Sequence, residues 1–426
     1  MPLAASPAGW PLDQGEDADL LLEAAYGLPP RPDRHVGVAV SGGGDSVALL
    51  HLMARACRHW DVPVSAVTVD HRLRTGSRAE ADGVAVLCAS LGVPHRTVVW
   101  DHGTVPGNLM DAARRARRTL IAAWALEAGV TQVALGHTAD DNAETFLMAL
   151  SRAAGLDGLA GMRSGWCEDG LWWGRPLLQV TRADLRRYLR RHGIGWVEDP
   201  TNADTRFERV RARQAMAALT PLGIDAARVA RSASHLAIAR AALRDILRQS
   251  CAAHVQEVAG ALRIDRSGFD ALPHDLQRLL LVAAVEWLSG DARPLRRDRQ
   301  ANLLFAAREG RSATVQGCRL RSRPDGLWLA REPRAVARVA GPPGAVWDGG
   351  WRLAGPAGDG MEIRALGAAG LRACPGWRAT GLPRHVLEVT PAVWRGDHLV
   401  AAPLAGLPNG WSAEMRPSFA AALAAH

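Results

Sequence analysis

Ser41, Gly42, Gly43, Gly44, Asp45 and Ser46 stand between an apolar run at 36–40 and a helical apolar pattern carried by Val47, Leu50, Met53 and Ala54. Three consecutive glycines let the main chain turn tightly with its N–H groups directed inward, and the helix behind adds its positive end. Such a turn holds an anion. No Gly-Lys-Ser/Thr follows, so it is not the usual nucleoside-triphosphate loop. The plain structural alternative is a glycine-rich strand-to-helix turn in which Asp45 caps the helix. A second segment runs from Gly136 and His137 through Thr138, Asp140, Asp141 and Asn142 to Glu144 and Thr145, behind another apolar run at 132–135. Helical spacing predicts that Ala143, Phe146, Leu147 and Leu150 are buried, with Asp140, Asp141 and Glu144 on the neighbouring face. One imidazole and three carboxylates at a strand end suit Mg²⁺ chemistry on ATP, or the reception of a cationic amine. The competing reading is a Thr138-x-x-Asp141 capping box, since acidic residues favour any first helical turn.

Three further segments are strongly basic. Asn108 opens a helix that carries Arg114, Arg115, Arg117 and Arg118, of which Arg114 shares a face with Arg117 or Arg118. That face can reach ATP phosphates or RNA, or be a solvated surface. The helical stretch 182–192 predicts a core side of Leu185, Tyr188 and Leu189, leaving Arg182, Arg186, Arg187, Arg190 and Arg191 outside. After Glu198-Asp199-Pro200-Thr201-Asn202 come Arg206, Phe207, Arg209, Arg211 and Arg213. Arginines interleaved with one aromatic suit a phosphate backbone and a stacked base, although a structural turn beside a solvated helix gives the same pattern.

The elements that must position these groups alternate from about residue 34 to 219. Strands are expected at 36–40, 64–69, 96–99 and 132–135, and helices at 77–91, 108–127, 140–153 and 182–192. The expectation is an α/β fold: a Rossmann-like parallel sheet with helices on both faces and a ligand crevice at the strands' carboxyl ends. Thr220-Pro221-Leu222-Gly223 breaks the pattern, and helices at 225–255, 275–288 and 295–308 predict a mainly helical middle domain, 222–334, in which short strands with hairpin turns are expected from Ser312, as at 318–329. The stretch 335–345, with Gly341-Pro342-Pro343-Gly344, reads as a linker to a small α/β or β-rich last domain, 345–426.

Composition narrows the class. The chain has 426 residues, 48% hydrophobic and 22% charged, as in a globular protein of two or three domains. No apolar run approaches a membrane span and no secretory leader is visible, so a cytoplasmic enzyme is expected. Cys57, Cys88, Cys167, Cys251, Cys318 and Cys374 are scattered without a CxxC pair, against a zinc site, an iron–sulfur site or a disulfide framework. The formal charge is +8 and there is no lysine at all. Any amine used in the chemistry must therefore come from a substrate.

Strand, Ser-Gly-Gly-x-Asp-Ser turn and helix resemble the PP-loop ATP pyrophosphatases, which bind the pyrophosphate end of ATP and activate a substrate by adenylation. Read together with Asp70-His71-Arg72-Leu73-Arg74, Gly107-Asn108-Leu109 through Arg117, residues 136–144, the run from Gly155 to Met162, Arg175-Pro176-Leu177-Leu178 and the run from Trp196 to Asn202, the chain is similar to the tRNA(Ile)-lysidine synthase family over about half its length. That resemblance implies ligation of free L-lysine to C2 of the wobble cytidine of tRNA(Ile) bearing a CAU anticodon. ATP first adenylates the cytosine O2, pyrophosphate leaves, and the lysine ε-amine then displaces AMP. It further implies ATP phosphates at 41–46 with Asp45 near Mg²⁺, Asp141 as a second Mg²⁺ candidate, and Arg114 or Arg117 on the nucleotide. His137, Asp141 and Glu144 would stand at the reacting centre, Arg206, Arg209, Arg211 and Arg213 on the tRNA, in a monomer or homodimer. Two positions depart from the pattern: Val210 stands where many members have Asn, and the variable fourth position of the turn is Gly44. A tRNA thiolase is the nearest rival reading, and a nucleotide-sensing or RNA-binding module without catalysis is the other.

Overall fold

The computed structural model describes residues 17–425 except 32, 73–75, 102, 104–107, 169, 199–207, 292 and 416. Arg74, Gly107, the segment from Asp199 to Asn202, and Arg206 lie outside the described residues. The chain divides into two compact units at Arg240, each described by itself.

The first unit runs α1 (Ala18–Tyr26), β1 (Val36–Ala39), α2 (Gly44–His59), β2 (Val64–Asp70), α3 (Ser77–Leu91), β3 (His95–Val99), α4 (Leu109–Glu127), β4 (Gln132–Leu135) and α5 (Ala139–Ser151). It continues with α6 (Leu156–Leu159), β5 (Gly165–Glu168), β6 (Leu171–Gly174), α7 (Arg182–Arg191) and α8 (Glu208–Leu219). The sheet order is β3-β2-β1-β4-β6-β5. Strands β1, β2, β3, β4 and β6 run parallel, whereas β5 is antiparallel to β6. The expected parallel sheet is thus present, with one antiparallel strand added at its edge. Trp166 of β5 stacks on Trp173 of β6 at 5.9 Å, and a two-strand hairpin this short leaves no periodic signal distinct from a loop.

β1 is buried at all four residues, as a central parallel strand must be. Its neighbours are β2 on one side and β4 on the other, so the connection direction reverses across β1 and β4. Crevices form at such a reversal, outside the carboxyl ends of the strands. The turn into α2 and the turn into α5 both open there. Gly136 holds them together, because a Cβ on it would lie 3.0 Å from Ser46 Cα and 3.1 Å from Ser46 N. Leu49, Leu50, Leu52 and Met53 of α2 share one core with Leu185, Tyr188 and Leu189 of α7. The Tyr188 hydroxyl and His51 Nδ1 hydrogen-bond at 2.6 Å. That packing sets the start of α7 beside the start of α2.

α9 (Ala226–His254) runs through the division at Arg240. The second unit pairs β7 (Val255–Val258), β8 (Ala261–Ile264), β9 (Ala313–Val315), β10 (Cys318–Arg323) and β11 (Gly326–Arg331) in one antiparallel sheet. Helices α10 (Arg266–Ala271), α11 (His274–Ser289) and α12 (Arg297–Arg308) belong to it. Strands β9, β10 and β11 lie where hairpin strands were expected from Ser312, and β7 and β8 extend them into five strands. Two smaller sheets follow, pairing Ala340–Gly341, Met361–Ala365, Pro391–Arg395 and His398–Ala401 in one, and Trp351–Ala354 with Ser412–Met415 in the other. The expected linker is packed: Val336 is buried, and the Trp347 indole donates to Val339 O at 2.9 Å.

Replacing Gly136 by Val should overpack the contact between the two turns and cost about 1–3 kcal/mol of stability. Urea unfolding measures the loss, and nucleotide titration of the folded variant should show weakened binding. An unchanged midpoint would mean that the turns do not depend on this close approach.

Candidate active site

The first turn is built mainly from backbone. Gly42 sits at φ +85°, a left-handed conformation that glycine adopts without strain. Val197 N–H donates to Gly42 O at 3.0 Å, and Gly43 forms a parallel bridge with Val197. Ser46 Oγ receives the Ser41 N–H at 3.1 Å and donates to Gly43 O at 2.9 Å, which closes the turn on itself. Asp45 caps nothing here. Gly43 occupies the cap position of α2 without a side-chain bond, and Asp45 Oδ2 accepts instead from Arg182 Nε at 3.2 Å. Gly44 has a reason to be glycine: a Cβ would meet Arg186 Nε at 2.5 Å. That guanidinium lies over the Trp196 ring at 5.1 Å, and its buried Nε has no hydrogen-bond partner among the described residues.

The second turn supplies the acids. Thr138 and Asp141 do form the capping box: Thr138 N donates to Asp141 Oδ2 at 2.9 Å, and Asp141 N donates to Thr138 Oγ1 at 3.4 Å. The structural reading is thus correct, and it leaves Asp141 Oδ1 for Arg182 Nη2. Glu144 Oε1 accepts from Arg182 Nη1 at 2.8 Å and from Arg213 Nε at 3.0 Å. Asp140 Oδ2 accepts the backbone N–H of Arg182 at 2.8 Å, so the start of α5 caps the start of α7. Asn142 Oδ1 accepts from Met162 N at 2.8 Å and ties the loop after α6 to the same helix. The burial of α5 is the reverse of the expectation at one end. Leu150 is 51% exposed while Asp141, Asn142 and Glu144 are buried, because the polar first turn faces the interior of the crevice.

Arg182 corrects the sequence reading most. It was expected outside with the other arginines of its helix, yet its side chain is 21% exposed and bonds Asp45, Asp141 and Glu144 together. At about 100° per residue Arg182 falls on the same side as Leu185 and Leu189; its charge, not its spacing, suggested the outside, and nothing in the helix itself announces that its first turn meets two other helix starts. One signal was available. Thr181 caps the helix through Asp184 N at 3.2 Å, which puts a cation in a first turn where the helix dipole disfavours it. A cation there needs local anions.

The electrostatics follow from this geometry. Burial raises the Asp45 carboxyl and outweighs Arg182, with Asp141 adding to the rise. Burial also works to raise Asp141, but Arg182 and the Thr138 N–H prevail and hold it below the ordinary carboxylate range. Arg182 is disfavoured by burial yet held firmly protonated by Asp141 and Glu144. His137 is lowered to about 3 by burial and by Arg175. Among the described residues, Asp45 Oδ1 and Glu144 Oε2 are buried without a hydrogen-bond partner.

The four arginines of α4 separate. Arg115 pairs with Asp111 and Arg118 with Glu168 at 3.0 Å. Arg117, desolvated and pressed by Arg114, acts electrostatically on His137, and Arg114 acts on Arg175. Of the α8 arginines, Arg213 reaches Glu144, Arg209 Nη1 lies 4.0 Å from Asp141 Oδ1, and Arg211 is exposed. Val210 is buried on the same helix, where an apolar side chain fits. A cavity of about 550 Å³ beside Arg34, His35, Asp61 and Val62 opens at the amino end of β1 and contains none of these groups.

A glycine turn for an anion, sharing a crevice with buried carboxylates at a strand-order reversal, defines a PP-loop nucleotide-binding domain, and the family model described as a PP-loop domain matches residues 19–219. Relatives extend the match to the whole chain. The tRNA(Ile)-lysidine synthase of Ruegeria pomeroyi is 48% identical, covering 96% of this chain and 98% of its own length. That of Brucella anthropi is 35% identical, covering 85% and 84%. The chain belongs to the tRNA(Ile)-lysidine synthase family, ATP-using ligases of the PP-loop class. Among solved structures, a U34-tRNA thiolase from Methanococcus maripaludis with its [4Fe-4S] cluster is similar with a TM-score of 0.44 and 16% identity, covering 51% of this chain and 77% of that one.

Arg182→Met should leave three carboxylates facing one another and cost roughly 3 kcal/mol. Asp141 has a lowered pKa, so its contribution is complete above the ordinary carboxylate pKa and is lost as pH falls through its folded value. Without Arg182 that folded value rises, and acid destabilisation should begin at higher pH. Denaturant titrations across pH 3–7 read both effects; a variant as stable as wild type, with the same acid limb, would contradict the tie.

Proposed function

We propose that the crevice carries out the lysidine-forming reaction on the wobble cytidine of tRNA(Ile) with a CAU anticodon, changing the codon read from AUG to AUA. The observation that carries this reading is the Arg182 bridge, which makes the glycine turn and the acidic pocket one site. Cytosine C2 is a poor electrophile until its oxygen becomes a leaving group. The O2 lone pair forms the bond to the α-phosphorus, and the electron pair of the broken P–O bond leaves with pyrophosphate. Free lysine then attacks C2 through its unprotonated ε-amine, the C2–O2 bond breaks with its electron pair leaving on AMP, and the new C2–N nitrogen sheds its proton to solvent. The chain has no lysine of its own, so no internal ammonium competes for the acids.

In this reading Ser41, Gly42, Gly43, Gly44 and Ser46 shape the phosphate turn, and Arg186 joins it from α7. Arg114 and Arg117 face the nucleotide. Asp141 and Glu144 receive the lysine ammonium, helped by the unpartnered Glu144 Oε2. The donor set fits Mg²⁺ best at Asp45, whose Oδ1 is buried and unpartnered, whereas both oxygens of Asp141 are engaged. Mg²⁺ is commonly held by one or two carboxylates together with substrate phosphates, so one protein carboxylate would suffice here. When bound, Mg²⁺ would neutralise charge on the departing pyrophosphate. Five of the six cysteines are buried, which disfavours a thiolase. No helix among the described residues is long and apolar enough to cross a membrane; we place the enzyme in the cytoplasm, beside its tRNA.

With unmodified tRNA(Ile), ATP and lysine, the protein should release pyrophosphate and incorporate lysine. Asp45→Asn should abolish pyrophosphate release while tRNA affinity stays nearly unchanged. A requirement for sulfur in place of lysine would favour a thiolase, and no release at all a binding module. Arg209 and exposed Arg211 are assigned to the tRNA with Arg206 and Arg213. Replacing Arg209 and Arg211 together should weaken tRNA binding and lower the salt slope by about one for each phosphate no longer neutralised; an unchanged slope returns α8 to a structural role.

A further inference from the structure

His137 follows β4 directly, its backbone N–H donating to Leu135 O at 2.9 Å. Its Nδ1 lies 3.1 Å from Arg175 Nε. A guanidinium has donors only, so in this pair the imidazole nitrogen must be the acceptor. A neutral ring that accepts at Nδ1 carries its proton on Nε2. Arg175 is itself held on two sides: its Nη1 donates to Arg163 O at 2.6 Å, and its guanidinium lies 4.4 Å over the Trp166 ring. The hairpin of β5 and β6 is therefore the seat of this arginine. Among the described residues nothing hydrogen-bonds His137 Nε2, which leaves that N–H for a ligand.

We propose that Arg175 is a positioning residue that fixes His137 as its Nε2–H tautomer, so that the imidazole serves adenylyl transfer as a neutral hydrogen-bond donor and moves no proton. The inference rests on the ATP reading of the crevice. As the cytosine O2–phosphorus bond forms and the bond to pyrophosphate breaks, negative charge gathers on phosphoryl oxygens. A fixed donor aimed at such an oxygen stabilises the transition state without reorganisation. The groups that face His137 are Arg175, Arg117 and Arg209, with Asp141 as the anion. Burial and this surplus of guanidinium keep the ring neutral throughout the working pH range. A ring so reluctant to take a proton is a poor base, and its remaining N–H is a good donor.

The test uses the full-length protein labelled with ¹⁵N-histidine, with the His137 signals assigned by their loss in His137→Gln. Long-range ¹H–¹⁵N correlation should show an unprotonated Nδ1 and a protonated Nε2 that do not titrate from pH 6 to 8. In Arg175→Met the pattern should become a mixture of tautomers. An Nδ1–H tautomer or an imidazolium in the wild type overturns the proposal without any assay of activity. In tRNA-dependent pyrophosphate release, His137→Gln, which keeps a donor near the Nε2 position, should stay within about tenfold of wild type. His137→Ala should fall by about 100-fold, the usual effect of losing one such donor. Equal losses in the two variants contradict the donor role. Absence of pyrophosphate release by the wild type instead refutes the functional reading and leaves the tautomer result standing.

Discussion

One guanidinium joins the two halves of the site. Arg182 bonds a carboxylate from α2 and two from α5, and the start of its own helix is capped by Asp140. Three helix N-termini therefore converge on one point. Their dipoles favour anions there, which suits both the acidic side chains and an incoming phosphate chain. The same field opposes Arg182, so the carboxylates must hold it in place. Buried ion clusters of this kind contribute little net stability over an apolar equivalent, but losing one member is costly. What the cluster provides is registration: the phosphate turn and the acid pocket cannot drift apart while the bridge stands.

The turn at 41–46 and the acidic segment at 136–144 were legible in the sequence because local backbone rules govern them. A glycine-rich strand-to-helix turn and a Thr138–Asp141 cap are both encoded within a few residues, and the helices expected at 77–91 and 182–192 are found at 77–91 and 182–191. Arg182 was not legible. Spacing sets Arg182 on the core side with Leu185 and Leu189, but a guanidinium reads as solvent-facing, and the carboxylates that hold it lie 38 to 137 positions away. The Arg175–His137 pairing has the same character, spanning 38 positions. The hairpin of β5 and β6 was missed because its two strands hold no β-branched residue, unlike the equally short β1 and β4. Arg186 beside Gly44 explains afterwards why the variable position of the turn holds glycine, but nothing local announces it.

The absence of lysine gives the site a particular character. Every cation in it is a planar, permanently charged fork that can bridge carboxylates on different helices. Arg182, Arg213 and Arg209 gather at the acids, while Arg175 and Arg117 stand by His137, which Arg209 also faces. The crevice thus sets carboxylates held by guanidinium beside a group of arginines around His137, and in the proposed reading the first takes the ammonium and the second the phosphate. Opposite charge preferences within one cleft are what a reaction between a nucleotide and an amine requires.

The most direct test is a structure of the protein with lysine and a non-hydrolysable ATP analogue. The phosphates should lie on the backbone of Gly42, Gly43 and Gly44, with the lysine ammonium about 3 Å from Asp141 or Glu144 and Arg182 still joining the two sides. Lysine bound away from these carboxylates, or phosphates outside the glycine turn, would contradict the account.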